Sequence, residues 1–274
     1  MRLVHIVKHE VADPALAGAQ SVDRALALLA LIGRHSAAGV SLTGLVRASQ
    51  LKKATVRRLL LALMRAGLVE QDSETRVYHL GEEAYVLGLL AQGRHGLLRQ
   101  SMEQIQTLAR ETGDAAFLSV RRGLHSVCLH REDGPHPIRT YALMPGGHHP
   151  LGVGAGSLAM LAALPEAEVE AIITANTPEL LAHYPRLGPD TLREHVEQTR
   201  TSGIAINPGL IFEDSWGLGV ALRGPDGQVV GALSLAAIES RMREPRRDEL
   251  AQKLRDAARL TEARLSRRQQ ERQT

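Results

Sequence analysis

The 274 residues are enough for two domains that each have a hydrophobic core, and a hydrophobic content of 44% excludes a disordered chain. The sequence contains no run of 18 apolar residues, which a membrane-spanning helix would need. The first twenty residues lack the basic start and apolar core of a signal peptide. Cys128 is the only cysteine, so an intrachain disulfide is excluded and a cytoplasmic location is expected. We expect residues 1–20 to form a flexible arm.

The net charge of +3 conceals an uneven distribution along the chain. Residues 21–80 contain nine Lys and Arg against four Asp and Glu, a net charge of +5, whereas residues 81–264 carry a net charge of −4. A basic N-terminal segment suits a polyanionic partner. The alternative is a solvated basic surface, which the charge count alone does not exclude.

The N-terminal segment begins with three short amphipathic helices. Apolar residues recur every three or four positions and predict helices at residues 22–35, 42–48 and 53–65. Ser21 and Ser41 are expected to cap the first two helices, because a serine oxygen accepts a hydrogen bond from an otherwise unpaired backbone N–H. Gly67 is expected to end the third helix.

Two strands, predicted at residues 68–71 and 76–80, follow the third helix and are joined by a turn. Two helices around a tight turn, followed by a two-stranded ribbon, form a winged helix-turn-helix, which places its second helix in the DNA major groove. Side chains at the start of that helix reach base edges and phosphates. The predicted DNA contacts are Ser41, Thr43, Lys52, Lys53, Thr55, Arg57, Arg58 and Arg76. A small helical domain with a basic face is the alternative.

The same segment resembles the IclR family of bacterial transcription regulators. The resemblance rests on SVDRALALLALI, SLTGLVRASQLKKATVRRLLLALMRAGLVEQD and the closing YHLG, and it continues to near Arg264. It implies a winged helix-turn-helix at residues 21–81, a linker helix at 82–96 that helps DNA-binding domains pair, a GAF-like α/β effector domain at 97–266 and a basic tail at 267–274. The family often has Pro where Lys52 stands and Ser where Ala54 stands, so this helix is expected to read different bases or to depend more on phosphates.

Helices and strands mix along the rest of the chain, which predicts an α+β fold class. Helical spacing predicts helices at residues 82–93, 97–112, 157–164, 166–175, 191–202 and 245–264. Alternation predicts strands at residues 115–120, 125–131, 138–144, 204–207, 218–222 and 229–236. Residues 82–93 are too apolar for a free linker, so this helix should pack on a second subunit or, alternatively, within its own subunit.

A glycine-rich loop at residues 151–157 leads into a predicted helix. Glycines let a ligand approach the backbone, and a helix start offers unpaired N–H groups to an anion. The alternative is a tight strand-to-helix turn. The resemblance implies that this loop lines an effector pocket, with further walls at Asn207, Gly217 and Ala236, where the family often has an acid, a cysteine and a small polar residue. The predicted effector contacts are Met144, Leu151, Gly154, Ala155, Gly156, Asn207, Trp216, Gly217, Ser234 and Ala236.

These contacts also indicate a class of effector. One amide, one hydroxyl and free backbone N–H groups suit a carboxylate with an apolar or aromatic body. Phe212 and Trp216, the only tryptophan, are expected in the apolar wall of the pocket. Trp216 fits a dimer interface or a core position equally well.

Motifs of catalysis and metal binding are missing from the sequence. There is no HExxH run, no Cys and His pair with zinc spacing, no GxSxG and no nucleophile beside a base. We therefore expect no enzyme activity and no cofactor. A group of histidines is interpreted as surface or hairpin residues, with a bound metal left open: His125, His130, His136, His148 and His149. Cys128 is expected in or beside the core. Residues 267–272 form a helix end, a disordered segment or, alternatively, a DNA contact.

The sequence as a whole predicts a dimeric or tetrameric transcription regulator. Its expected partners are a pseudo-palindromic double-stranded DNA operator and a small metabolite of a catabolic operon, with RNA polymerase as a further candidate and no membrane. Repressor and activator use the same parts, so the sign of regulation stays open. Two alternatives remain for the C-terminal domain: a pure oligomerisation module, or an enzyme with an appended helix-turn-helix.

Overall fold

The computed structural model describes residues 19–35, 38–92, 96–138, 140 and 143–271. The chain divides into two compact units, Met1–His95 and Gly96–Thr274. Of the predicted N-terminal arm, residues 1–18 lie outside the described residues, as do residues 272–274 of the predicted tail. Across the described ranges, no helix combines the length and the apolar character needed to cross a bilayer.

The first unit consists of helices around a small ribbon. Its elements are α1 (Gln20–Arg34), α2 (Leu42–Ser49), α3 (Lys53–Arg65), β1 (Val69–Gln71), β2 (Tyr78–Leu80) and α4 (Glu82–Gln92). The strands β1 and β2 pair antiparallel, and Val40 forms a bridge with Tyr78. The core of the unit is formed by Leu28, Ile32, Leu45, Val56 and Leu60, all fully buried. Helical periodicity therefore predicted this unit well, and the observed bounds of α3 equal the predicted ones.

One predicted cap is present and the other is wrong. The Ser41 hydroxyl accepts a hydrogen bond from the Gly44 N–H at 3.1 Å, as expected for the start of α2. Ser21 does not cap α1, because the helix begins at Gln20 and its N-cap is Ala19, which has no side-chain acceptor. Ser21 therefore lies inside the first turn.

The second unit combines five α-helices with one sheet among its described residues. Its helices are α5 (Leu97–Thr112), α6 (Ala155–Ala162), α7 (Glu166–His183), α8 (Pro189–Ser202) and α9 (Arg246–Glu271). Its strands are β3 (Ala115–Arg122), β4 (His125–Glu132), β5 (His148–Pro150), β6 (Ala205–Pro208), β7 (Ser215–Arg223) and β8 (Val229–Ile238). The strand order is β5-β4-β3-β8-β7-β6, with every pair antiparallel.

The sheet has a core on each face. One core joins α5 and α9 to the sheet through residues such as Ile105, Leu118 and Leu254. The other joins α6, α7 and α8 through residues such as Leu161 and Ile173. Successive side chains of β8 point to opposite faces of the sheet, so Leu233 belongs to the first core and Ala232 to the second. The result is an α+β unit in which α6 lies against β7 and β8.

The strand predicted at residues 138–144 is wrong. The described residues 138, 140, 143 and 144 are not in a strand, and the edge of β4 is covered by residues 146–150 instead. Gly146 donates its N–H to the Cys128 carbonyl, and the Gly147 carbonyl accepts from the Cys128 N–H, both at 2.9 Å. The edge strand is β5, His148–Pro150, which the sequence analysis did not predict. It is only three residues long and ends in proline, so no strand pattern marks it in the sequence.

The helix predicted at residues 166–175 is much longer than expected. α7 runs to His183 and contains Pro178, which lies beyond the predicted end of the helix and cannot donate a backbone hydrogen bond. Leu180 is fully buried beyond the proline, so packing carries the helix through it. Burial of this apolar side chain outweighs a single lost hydrogen bond.

Candidate functional site

The outer face of α3 is basic and has no carboxylate partner among the described residues of the first unit. The buried stripe of the helix is Val56, Leu59, Leu60 and Leu63. Its exposed positions are Lys53, Ala54, Arg57, Arg58, Leu61, Ala62 and Arg65. Within the described part of the first unit, none of these cations forms an ion pair, so their charge remains available to phosphates or base edges.

The predicted DNA contacts fall into three places. Lys52, Lys53, Arg57 and Arg58 are all exposed at the N-terminal half of α3, so the fold brings them together. Thr55 is only half exposed, since it borders the buried stripe. On other elements of the motif, Ser41 and Thr43 are exposed at the start of α2, and Arg76 is exposed in the turn between β1 and β2.

Sequence reasoning missed Leu61 as a candidate contact. Its side chain is 58% exposed, although every other leucine of α3 is buried. It follows Arg57 by four residues and Arg58 by three, so the three side chains share the outer face of the helix. An exposed apolar group beside bidentate donors is suited to a thymine methyl group. Helical periodicity places Leu61 off the buried stripe and could have revealed its exposure. Leu61 was not considered as a DNA contact because leucine is usually a core residue.

The turn of the wing is organised by Asp72. One of its carboxylate oxygens accepts from the Thr75 N–H at 2.7 Å, the Thr75 hydroxyl at 2.8 Å and the Glu74 N–H at 3.0 Å. These hydrogen bonds, that of the Thr75 backbone first, lower the pKa of Asp72. Arg76 follows with a φ of +58°, and its N–H donates to the Asp72 carbonyl. The wing therefore holds an exposed arginine in the left-handed region.

Replacing Arg76 with glycine should separate its role in DNA binding from its backbone strain. Glycine adopts a positive φ freely, whereas alanine at a φ of +58° keeps the strain, which is of the order of 1 kcal/mol. We expect Arg76→Gly to be about 1 kcal/mol more stable than Arg76→Ala in urea unfolding of the full chain. Both variants should lose the same DNA affinity by fluorescence anisotropy, because both lack the guanidinium. Equal stability of the two variants would contradict the strain, and undiminished affinity would contradict the contact.

In the second unit, a pocket opens between the start of α6 and the sheet. It is lined by residues from all six strands and by the glycine-rich loop, and it encloses an empty volume of about 520 Å³, part of it open to solvent. Eight of the ten predicted effector contacts line it: Gly154, Ala155, Gly156, Asn207, Trp216, Gly217, Ser234 and Ala236. Residues of six strands and the glycine-rich loop therefore meet at one cavity.

The loop before α6 is shaped by glycines and one serine. Gly152 and Gly154 have φ values of +107° and +86°, which suit glycine alone. The Gly152 N–H donates to the Ser157 hydroxyl at 2.9 Å. Gly154 is the N-cap of α6 and offers no side-chain acceptor, so the N–H groups of the first turn keep their capacity for an anion.

Among the described residues, the polar lining of the pocket is neutral. No Asp, Glu, Lys or Arg of the described ranges lines it, whereas five buried serines do: Ser119, Ser126, Ser157, Ser215 and Ser234. The Ser157 hydroxyl accepts from the Gly152 N–H, whereas the other four hydroxyls have no hydrogen-bond partner within the described ranges. Asn207 accepts from the Leu210 N–H through its side-chain oxygen at 3.2 Å, which leaves its amide N–H groups as donors. Buried groups of this kind are stabilised by a polar ligand or by water.

Comparison with known proteins assigns both units. The model of the bacterial transcriptional regulator IclR C-terminal domain matches residues 90–262, and that of the IclR helix-turn-helix domain matches residues 21–73. The chain belongs to the IclR family. It is therefore a DNA-binding transcriptional regulator, which confirms the predicted family and its fold with an N-terminal helix-turn-helix.

Individual IclR-family proteins support the same assignment. The chain is 28% identical to a probable HTH-type transcriptional regulator, ArcR of Halobacterium salinarum, covering 89% of this chain and 93% of that one. It is 27% identical to the HTH-type transcriptional repressor AllR of Escherichia coli, covering 90% and 91%. It also resembles the crystal structure of a putative IclR transcriptional regulator from Silicibacter, with 28% identity, a TM-score of 0.80 and coverage of 90% and 96%.

Two of the residues predicted to contact the effector, Leu151 and Met144, do not line this pocket. Leu151 is fully buried in the core with α6 and α7 and does not line the pocket. Met144 is 49% exposed outside the pocket, and its sulfur accepts from Arg131 at 3.4 Å. Phe212 is also exposed, at 57%. The apolar wall is formed instead by residues that sequence reasoning missed, namely Phe117, Leu143, Val153 and Ile211, together with Trp216.

The cysteine and the histidines lie where hairpin and core positions were expected. Cys128 is 2% exposed in β4, and burial raises the pKa of its thiol to about 12. His125 lies 3.1 Å from Glu179, and both side chains are largely buried. Among the described residues, no group of three or more His, Cys, Asp or Glu is arranged to hold a metal ion. His149 lines the pocket and was not predicted to do so.

Proposed function

We propose that this regulator senses a small carboxylate with an apolar or aromatic body and controls a catabolic operon. The pocket of the second unit carries the proposal, because it combines helix N–H donors, hydroxyls and an amide with an apolar wall. No acidic side chain of the described residues lines the pocket and would repel a carboxylate. The N–H groups at the start of α6 are suited to its charge.

We also propose that the protein binds its operator as a dimer or a tetramer. Five large apolar side chains of α4 are exposed in the protomer: Tyr85, Val86, Leu87, Leu89 and Leu90. In α1, Val22 and Leu26 are exposed at 58% and 54%. Exposed apolar surface of this extent supports coverage by a second copy. Two copies of the winged helix-turn-helix match a pseudo-palindromic operator.

The mechanism that follows is linkage between effector and DNA. An effector that prefers one arrangement of the subunits shifts the population toward it and changes the operator affinity. The ratio of its affinities for the two arrangements sets the largest change in DNA affinity. RNA polymerase is an additional partner if the regulator acts as an activator.

DNA recognition is tested by fluorescence anisotropy on the intergenic DNA upstream of the gene, against scrambled DNA, at two salt concentrations. Specific binding with a steep salt dependence is expected. Lys53→Ala should weaken binding to both DNAs alike and reduce the salt slope by about 1, because Lys53 at the start of α3 is expected to neutralise a phosphate. A selective loss on the operator would instead make Lys53 a base-reading residue.

The effector class is tested by calorimetry with benzoate and phenylacetate against succinate and pyruvate. We expect the two aromatic carboxylates to bind. Ser234→Ala should lower the affinity for both, because the Ser234 hydroxyl is buried in the pocket and has no partner in the described structure. Ser266→Ala is the control, since this serine lies on α9 and its hydroxyl bonds its own helix. Binding of only the dicarboxylate and the α-keto acid would overturn the proposed effector class.

A further inference from the structure

A groove lined by arginines lies between the start of α5 and the end of α9. It encloses an empty volume of about 550 Å³, part of it open to solvent. Four arginines, one glutamine and one glutamate line it: Arg99, Gln100, Arg264, Arg267, Arg268 and Glu271. Residues 96–274 contain 21 Lys and Arg against 22 Asp and Glu, a net charge of −1. Four arginines around one groove are therefore a local concentration of positive charge in a slightly acidic unit.

The packing of α5 against α9 brings these arginines together. Two ion pairs join the helices, Lys253 with Glu111 at 2.6 Å and Arg264 with Glu103 at 2.5 Å. The residue numbers rise along one helix as they fall along the other, so the helices run antiparallel. The next turn beyond the second ion pair carries Arg99 on α5, four residues before Glu103.

The arginines of α9 share one face of that helix. Arg267 and Arg268 follow Arg264 by three and four residues, which is the spacing of neighbours on a helix surface. They therefore extend beyond the ion pair of Arg264 in the same direction as Arg99 does on α5. The result is a row of guanidinium groups along two packed helices.

Most of this charge is not neutralised within the unit. Arg99 and Arg267 are exposed and have no hydrogen-bond or ion-pair partner among the described residues. The Arg268 guanidinium lies against Gly96, so closely that a Cβ on Gly96 would overlap it. Gly96 is the N-cap of α5 and has no side-chain acceptor, so this cation lies at the positive end of the helix dipole. Like charges gathered in this way favour an anionic partner.

We propose that this arginine groove binds the phosphate backbone of the DNA that the winged helix-turn-helix recognises. Gly96 is the first residue of the second unit, and three residues separate it from α4. The groove thus lies at the end of the second unit where the chain arrives from the DNA-binding unit. Arginine suits this partner, because its planar guanidinium donates two hydrogen bonds to one phosphate. Phosphate contacts carry no sequence information, so the groove adds affinity without adding specificity.

The test replaces Arg99 and Arg267 together with alanine in the full-length protein. Anisotropy on the upstream intergenic DNA and on scrambled DNA is measured over a series of salt concentrations. The slope of log affinity against log salt should fall by about 2 for each bound copy, since each lost phosphate contact removes about 0.9. Affinity at about 0.1 M salt should fall at least tenfold on both DNAs, with an unchanged ratio between them. Arg99→Lys with Arg267→Lys should keep most of the slope, because lysine still neutralises a phosphate.

Arg110→Ala with Arg243→Ala is the matched control. It removes the same charge from the opposite end of the two helices, where both side chains are exposed. Arg110 follows Arg99 by eleven residues, or about 16 Å along α5, which exceeds the Debye length of about 8 Å at physiological salt. The control should keep the slope of the wild type.

Four results would overturn the proposal. They are an unchanged slope in the alanine variant, an equal loss of slope in the control, a loss of affinity confined to the operator, and a lower molecular mass of the alanine variant in light scattering without DNA. The last result would make the groove a contact between copies of this chain. Since the alanine variant should keep its operator preference, failure of this proposal leaves recognition by α3 standing.

Discussion

Replacing Arg57 and Arg58 together with alanine should abolish the preference of this protein for its operator. Both guanidinium groups are exposed on the outer face of α3 and have no carboxylate partner in the described first unit. An arginine that contacts guanine with two hydrogen bonds contributes about 1–3 kcal/mol of discrimination. We therefore expect the ratio of operator to scrambled affinity, measured by anisotropy, to fall at least tenfold for the double variant.

The control for this variant removes the same charge from the other unit. Arg110 and Arg122 are exposed in α5 and β3, so Arg110→Ala with Arg122→Ala changes the net charge equally. The control should keep the operator preference. If the α3 variant kept it too, the assignment of α3 as the recognition helix would be wrong. Leu61→Ala extends the test. If Leu61 contacts a thymine methyl group, this variant should lose affinity only for DNA sites that have a thymine at the contacted position.

Gly219→Ala should strongly destabilise the second unit. A Cβ at this position would lie 2.3 Å from the Ala155 carbonyl oxygen and 2.7 Å from the Gly156 nitrogen. These atoms belong to the backbone of α6, so they cannot rotate away, and the helix must lift from β7. We expect a loss of about 3 kcal/mol in stability, which corresponds to a thermal midpoint lowered by about 6–12 °C. Benzoate binding should be lost in calorimetry.

Gly188→Ala is the matched control for this substitution. Gly188 precedes α8 with a φ of −74°, and a Cβ there would meet no atom within 4 Å. It should leave benzoate binding unchanged and lower the thermal midpoint by only about 2–4 °C, because alanine is less favourable than glycine at an N-cap by roughly 1 kcal/mol. An unaltered midpoint in Gly219→Ala would show that α6 is not seated on β7 as the structure has it.

Local signals were enough for the DNA-binding unit. The bounds of α3 and the Ser41 cap follow from residues within one or two helical turns of each other, so short-range periodicity and capping chemistry reveal them. Local signals do not predict an element whose formation depends on packing against distant residues. α7 continues through Pro178 because Leu180 is buried beyond it, and β5 forms where residues 146–150 reach the edge of β4.

The sequence by itself determined the family, the winged helix-turn-helix with its exposed arginines and the glycine-rich start of α6. The tertiary structure decided which side chains surround the pocket. β3 pairs with β8 although more than 100 residues separate them, and this pairing places Phe117 opposite Ser234. The pairing of β5 with β4 likewise brings His149 beside Ser126. Contacts between distant segments depend on sheet order and register, which no local pattern of residues encodes.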